Sequence, residues 1–207
     1  MLLTGCSGGS SGGPEDDVRP LTAEELAEFE EMFASTTVVK DGETGEYLYT
    51  TSTPVSCFFT SYYADPRDID LADFLRYCPL GAALEDTGAE EFRAVLAAWG
   101  AEMPERFETP SDYMTPVWRI AKSDVSALLT QWAGITVDEL RSTEGVTYLA
   151  RYDAFYNDTS DFGPGVFVPT GGERGYESVR LWNDAQEELT LRVNGGGYLI
   201  ASFLNVQ

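Results

Sequence analysis

The chain has 207 residues, of which 43% are hydrophobic and 23% are charged, a composition typical of a folded protein and not of a wholly disordered one. Its 13 lysines and arginines oppose 35 aspartates and glutamates, and the resulting net charge of -22 argues against a nucleic-acid-binding surface or a polybasic membrane-binding helix. Histidine is absent, which excludes Ser-His and Cys-His triads and every histidine-dependent zinc site.

The N-terminus carries the most specific motif, Leu3-Thr4-Gly5-Cys6, in which an apolar residue and two small residues precede a cysteine. The motif resembles the lipobox of bacterial lipoproteins, whose cysteine is acylated and becomes the new N-terminus after cleavage. The resemblance implies a signal-peptide remnant over residues 1–6, a palmitate-type anchor on Cys6, and a location on the extracytoplasmic face of a bacterial cell membrane. Met1-Leu2-Leu3 is shorter than the apolar stretch of about 7–15 residues in a secretory leader, so we expect the native leader to begin further upstream. The alternative is a chance cysteine in a tail.

A Gly/Ser-rich segment over residues 7–14 follows the motif, and Glu15-Asp16-Asp17 extends it with three negative charges. Such a composition is typical of flexible linkers. We therefore predict a tether over residues 7–18 and a single globular domain over residues 19–207.

Capping signals predict that the first part of this domain is helical. Thr22 and Glu25 form a capping box, which predicts that the first helix begins there. The glutamates of this helix, between residues 24 and 31, have no basic neighbour, so we expect them to form an acidic side that faces solvent. A small hairpin is predicted over residues 36–50. Further helices are expected after Pro54, after the cap Asp70, from the capping box of Thr87 and Glu90, from Ser123 to Gly134, and at Thr136 with Glu139.

Beyond Tyr148 the apolar pattern becomes alternating, as in Leu189, Leu191 and Val193, which is typical of a strand with one buried face. Four strands are predicted at Val166–Val168, Ser178–Trp182, Glu188–Val193 and Tyr198–Phe203. The fold class predicted is α+β, with an N-terminal part of about five helices and one small hairpin packed on a C-terminal four-stranded antiparallel meander.

The stretch from Cys57 to Leu71, CFFTSYYADPRDIDL, taken together with the meander, resembles uncharacterised globular domains that follow lipoboxes in Gram-positive anaerobes. The resemblance covers residues 20–207. It implies the same membrane-anchored location and brings no defined activity or set of catalytic residues.

A segment over residues 152–163 is crowded with carboxylates and phenols and is predicted to form a loop between the last helix and the sheet. Loops at such junctions often line a cavity, where contact with aromatic rings raises the pKa of a carboxylate. The alternative is that these residues are only turn formers. The candidate ligand surface consists of Tyr152, Asp153, Tyr156, Asn157, Asp158 and Asp161.

We expect no metal ion and no cofactor. Asn157, Thr159 and Asp161 alternate as calcium ligands do, but Phe162 occupies the position of the required glycine and no bidentate glutamate follows. Cys57 and Cys78 are interpreted as two buried thiols, with a disulfide between them as the alternative.

These observations favour a surface-tethered lipoprotein domain that binds a partner and has no catalytic residue. A basic protein, a peptide or a glycan is the expected partner besides the membrane, with a basic protein favoured by the negative charge. The alternative function is a small hydrolase that uses carboxylates and tyrosines on a cell-surface glycan or peptide.

Overall fold

The computed structural model of the protein describes residues 18–34, 36–40, 47–76, 78–101, 106–159 and 165–206. The lipobox-like motif with Cys6, residues 7–17 of the predicted tether, and Asp161 lie outside the described residues.

The described residues contain α-helices at Ala23–Met32 (α1), Leu71–Arg76 (α2), Ala89–Ala98 (α3) and Lys122–Ala133 (α4). The capping box of α1 is confirmed, since the Thr22 hydroxyl accepts from the Glu25 amide at 3.2 Å and the Glu25 carboxylate accepts from the Thr22 amide at 3.0 Å. Asp70 caps α2 through the amides of Ala72 and Asp73, as its sequence position predicted. Side-chain caps therefore set where both helices begin.

Strands outnumber helices in this part of the chain. They are β1 (Arg19–Pro20), β2 (Thr36–Lys40), β3 (Tyr47–Ser52), β4 (Ala82–Ala83), β5 (Trp118–Ala121), β6 (Thr147–Leu149), β7 (Ala154–Asn157), β8 (Gly171–Arg174), β9 (Ser178–Trp182), β10 (Glu187–Asn194) and β11 (Gly197–Asn205). β2 and β3 pair with each other, which confirms the predicted hairpin.

A five-stranded antiparallel sheet in the order β1-β8-β9-β10-β11 joins four strands from the C-terminal part of the chain to β1 from its beginning. The alternation predicted in β10 is confirmed at Leu189 and Leu191, which are fully buried on the inner face, but not at Val193, which is exposed. A register shift between Thr190 and Leu191 lets β11 keep both Ile200 and Phe203 on that inner face. Helices α1 and α4 and the 3₁₀ helix Pro54–Phe59 contribute residues to the same core.

A second antiparallel sheet, in the order β4-β5-β7-β6, was not predicted: β4, β5 and β6 come from the part of the sequence expected to be mainly helical, and β7 from the expected loop over residues 152–163. One face of α3 packs against it through Phe92, Val95 and Leu96, each with no exposed surface. Val117 and Ala154 complete the centre of this smaller core.

The predicted architecture is wrong: the structure is mixed, with two antiparallel sheets, and its helices do not form a five-helix layer over a four-stranded meander. The second sheet escaped prediction because its strands are two to four residues long, too short to display an alternating pattern. Its central strands, β5 and β7, pair residues far apart in sequence, such as Arg119 with Tyr156.

Three further details are corrected. Val166–Val168 is not a strand; on the side away from β10, β9 pairs instead with β8, which lies further along the chain. Gly88, rather than Thr87, precedes the first turn of α3, and no side-chain cap is formed there. The expected helix after Pro54 is a short, buried 3₁₀ helix.

Gly172 offers a test of how tightly α1 and the large sheet are packed. A Cβ at this position would lie 2.6 Å from Leu21 Cδ1, 2.8 Å from Leu181 Cδ2 and 2.9 Å from the carbonyl oxygen of Arg180. Gly172→Ala is therefore expected to lower the free energy of unfolding by about 1–3 kcal/mol, because the backbone oxygen cannot move aside.

Gly197→Ala is the matched control, since a Cβ there would meet only the Asn194 carbonyl oxygen at 3.7 Å. Urea unfolding of both variants beside the wild type provides the comparison. Equal stability of the two variants would show that the sheet relaxes around Gly172 and would contradict the close packing.

Candidate functional site

The predicted ligand surface is not one loop: it is divided between a turn over residues 150–153, strand β7 and the two residues that follow it. Asp153 has a left-handed backbone with a φ of 47°, which turns the chain from β6 into β7. Its exposed carboxylate accepts a hydrogen bond of 2.7 Å from the Tyr148 hydroxyl. The expected loop over 152–163 is therefore wrong for residues 154–157, which form a strand.

Tyr156 and Asn157 turn their polar groups toward the protein rather than toward solvent. Tyr156 is 4% exposed, and its hydroxyl donates to the Glu91 carboxylate. The Asn157 amide donates through Nδ2 to the Leu75 carbonyl oxygen at 2.9 Å. Both side chains thus connect β7 to a helix: Tyr156 to α3 and Asn157 to α2.

The remaining predicted residues do not converge either. The exposed Asp158 accepts from the Tyr113 hydroxyl at 3.3 Å, and Tyr152 lies under the guanidinium of Arg151 at 5.4 Å. The Tyr152 hydroxyl is buried and has no hydrogen-bond partner among the described residues. Asp153 and Asp158 are exposed and bind different tyrosines, so the pair of converging carboxylates that a glycoside hydrolase needs is not formed by these two residues.

A polar cluster that the sequence did not reveal surrounds Tyr156. Glu91 Oε1 accepts both from the Tyr156 hydroxyl and from Arg119 Nε, the latter at 2.9 Å. Arg119 Nη2 also donates to the Tyr152 carbonyl oxygen at 3.0 Å. Burial has the largest effect on the pKa of Tyr156 and the hydrogen bond to Glu91 the next largest, and both raise this pKa well above its usual range. The phenol therefore remains a hydrogen-bond donor at physiological pH, and the cluster joins α3 to both central strands of the second sheet.

The other charged feature is the exposed side of α1. We call its four glutamates the acidic ridge: Glu24, Glu28, Glu30 and Glu31. Their side chains are exposed and form no ion pair within the described part of the chain. Glu25 differs, because Arg19 Nη2 lies 2.7 Å and Arg174 Nε 3.3 Å from its Oε1. Hydrogen bonds from Arg19 and from the Thr22 amide lower the pKa of Glu25 to about 2. Glu25 thus forms ion pairs within the fold, whereas the ridge carboxylates form none with the other described residues.

Most basic side chains are held in local ion pairs and do not balance the ridge. Paired in this way are Arg19, Arg67, Arg76, Arg119, Lys122, Arg141, Arg151, Arg174 and Arg180. Asp65, directly before Pro66, accepts from the Arg67 amide at 2.9 Å and pairs with both Arg67 and Arg141. The hydrogen bond from the Arg67 side chain has the largest effect and the one from the Arg67 amide the next largest, and they hold the pKa of Asp65 well below its usual range.

Within the described ranges there is no group of three cysteine, aspartate or glutamate side chains placed to hold a metal ion. None of the helices described there has both the length and the apolar character that crossing a membrane requires. Comparison with protein-family models, with curated protein sequences and with solved structures found no match to this chain.

The cluster around Tyr156 yields a stability prediction. Tyr156→Phe removes a hydrogen bond to a half-buried carboxylate and is expected to lower the free energy of unfolding by about 1.5–3 kcal/mol, as for hydrogen bonds to charged groups. Tyr148→Phe is the matched control, because it removes the same phenol–carboxylate bond at a tyrosine that is 39% exposed, where about 0.5 kcal/mol or less is expected.

Both variants keep the aromatic ring, so differences in ring packing do not enter the comparison. Urea unfolding monitored by tryptophan fluorescence gives the two values. If Tyr156→Phe and Tyr148→Phe lower the free energy of unfolding equally, Glu91 and Tyr156 are as accessible to water as Asp153 and Tyr148, which contradicts the prediction.

Proposed function

We propose that this protein is a surface-tethered lipoprotein domain that binds a basic protein partner and is anchored through Cys6 to the extracytoplasmic face of a bacterial cell membrane. The observation that carries the location is the order of features in the sequence: a lipobox-like Leu3-Thr4-Gly5-Cys6, a Gly/Ser-rich segment, and then a folded part that begins at β1.

The point where the chain enters the fold supports a tether. β1 is an edge strand of the large sheet, where it pairs only with β8, and the Arg19 side chain is fixed to Glu25 by two hydrogen bonds of 2.7 and 2.8 Å. The backbone is thus secured within the first described residues of the fold, directly after the proposed tether.

The distribution of charge supports the choice of a basic partner. The acidic ridge presents four exposed carboxylates along one helix that form no ion pair with another described residue, and a negative field accelerates the encounter with a positively charged partner. Most of the basic side chains that would screen this field are engaged elsewhere. Nearby Glu25 adds no net attraction, because its charge is neutralised by two arginines.

The anchoring is tested with Cys6→Ala in the full-length protein expressed with its native leader. A diacylated or triacylated protein binds membranes stably, so the wild type is expected in the detergent phase of a detergent-partition assay. Cys6→Ala is expected either to remain uncleaved or to appear in the aqueous phase as released protein. Cys78→Ala is the control for loss of a cysteine away from the motif and is expected to partition as the wild type does. Equal partitioning of the wild type and Cys6→Ala would reject lipidation at Cys6.

Binding is tested with a variant in which all four ridge glutamates are changed to glutamine. The association rate constant for a lysine-rich probe peptide, measured by surface plasmon resonance at low salt, is expected to fall about tenfold, and the difference is expected to shrink at physiological salt. The matched control removes four exposed carboxylates scattered over the molecule, by changing Glu85, Glu108, Glu144 and Glu177 to glutamine. A neutral oligosaccharide serves as the probe for a glycan partner.

Equal loss in the two quadruple variants would show that net charge alone, and not the acidic ridge, governs the encounter. Binding of the oligosaccharide but not of the peptide would reject a basic protein as the partner class.

A further inference from the structure

The face of the five-stranded sheet that points away from the main core carries an exposed tryptophan. In β9 the side chains alternate, so that Leu181 is fully buried in the core while its neighbour Trp182 points outward and is 37% exposed. Gly171 of β8 and Glu188 of β10 lie directly opposite Trp182 in the two adjacent strands. Residues that lie opposite each other in antiparallel strands share a face, so both border Trp182 on the outward side of the sheet.

Gly171 lets the Trp182 ring lie close to the sheet. A Cβ at residue 171 would lie 2.4 Å from Trp182 Nε1, 2.8 Å from Cε2 and 3.1 Å from Cζ2. A larger residue at this position would therefore push the indole aside, and glycine within a strand often marks such a close approach. The contact fixes the position of the ring and leaves part of Trp182 exposed to solvent.

The indole N–H of Trp182 is available to a ligand. Among the described residues, the Trp99 indole N–H donates to Thr147 Oγ1 at 2.8 Å and that of Trp118 to the Thr159 carbonyl oxygen at 3.2 Å, whereas that of Trp182 has no acceptor. An exposed donor beside an aromatic ring is a group that a hydroxyl oxygen of a ligand can satisfy.

The charged side chains that flank Trp182 are engaged with one another. Arg180, two residues before Trp182 on the same face, has Nη2 2.7 Å from Glu173 Oε1 and Nη1 3.7 Å from Glu188 Oε2. Its guanidinium carbon lies 6.0 Å from the centre of the Trp182 ring. Because one arginine pairs with both carboxylates, this face attracts a cation less than the acidic ridge does.

Hydroxyl groups continue the outward face across the sheet. Thr190 of β10 lies opposite Arg180, and Ser202 of β11 lies opposite Thr190. Both hydroxyl residues are partly exposed. Neighbouring strands are about 5 Å apart, close to the length of one pyranose unit, so successive strands offer polar groups at the spacing of successive sugars.

We propose that the outward face around Trp182 is a binding site for a neutral glycan chain. We call it the Trp182 platform, and its members are Gly171, Glu173, Arg180, Trp182, Glu188 and Thr190. One face of a pyranose ring is lined by C–H groups, which pack on an aromatic ring, and its hydroxyls require hydrogen-bond partners around that ring. The platform supplies both and carries little net charge. This site is independent of the proposed anchor and of the acidic ridge.

Binding is measured by isothermal titration of the full chain carrying Cys6→Ala, which lacks the proposed acylation site. The probes are three neutral hexasaccharides, of α-linked glucose, of β-linked glucose and of N-acetylglucosamine. At least one is expected to bind with a Kd of about 0.1–1 mM, as for a shallow site with a single aromatic contact, and to shift the fluorescence emission of Trp182. Failure of all three probes to bind at about 10 mM would overturn the proposal.

Trp182→Ala is expected to weaken binding at least about tenfold, because an aromatic residue at the centre of a site carries much of the affinity. Tyr176→Ala is the matched control: Tyr176 is 84% exposed and lies in the turn at the other end of β8 and β9, so its loss is expected to leave the Kd unchanged. Urea unfolding establishes that both variants are folded. Equal Kd values for the two variants would contradict a site at Trp182.

Gly171→Ala tests the position of the ring rather than its presence. The added Cβ displaces the indole, so this variant is expected to bind more weakly than the wild type although Trp182 is retained. The variant with all four ridge glutamates changed to glutamine is expected to bind the hexasaccharides as the wild type does, which separates this site from the proposed surface for a basic partner. Sedimentation of the wild type as a dimer that Trp182→Ala dissociates would identify a second copy of the chain as the occupant and would reject the glycan.

Discussion

The mutual burial of Phe59, Phe167 and Phe203 is the interaction on which the rest of the structure depends. Their ring centroids lie 5.3–5.7 Å apart, and the three residues come from a 3₁₀ helix, a connecting segment and the last strand. Backbone hydrogen bonds of 2.7 and 2.9 Å between Tyr63 and Phe203 fix the same junction. Gly165 permits it, because a Cβ there would lie 2.5 Å from the backbone of Phe59. This contact joins the 3₁₀ helix Pro54–Phe59 to the inner face of the large sheet at the centre of the main core.

Local sequence signals were sufficient to predict the structure wherever a backbone amide is hydrogen-bonded by a side chain only a few residues away. The Thr22–Glu25 capping box and the Asp70 cap are such signals, and each identifies the start of a helix from four neighbouring residues. The alternation in β10 is likewise visible because the strand is eight residues long and has one solvated face. In these places the hydrogen-bonding requirement and the hydrophobic pattern agree, and the sequence alone predicts the structure.

The second sheet lacks both kinds of signal. β5 and β7 are four residues each, and their pairing brings Arg119 next to Tyr156, a contact that only the complete fold determines. The same limitation affected the candidate site. The sequence marked Tyr156 and Asn157 as candidate ligand-binding residues because they lie in a segment rich in carboxylates and phenols. It could not reveal that Tyr156 bonds to Glu91 on α3 and that Asn157 bonds to Leu75 on α2. Glu91 itself has the ordinary features of an acidic residue in a first helical turn, so no signal in the sequence distinguished it.

The edge strand β1 is also where a pull on the N-terminal segment would enter the fold. It is two residues long, yet Arg19 pairs with Arg174, Pro20 pairs with Glu173, and the Leu21 amide donates to the Gly172 carbonyl oxygen at 2.9 Å. Because β1 runs antiparallel to β8, a pull on the N-terminal segment along the strand loads these backbone contacts together, in shear, with the Arg19–Glu25 ion pair beside them. Force applied at the N-terminus is thereby spread into the five-stranded sheet before it reaches α1.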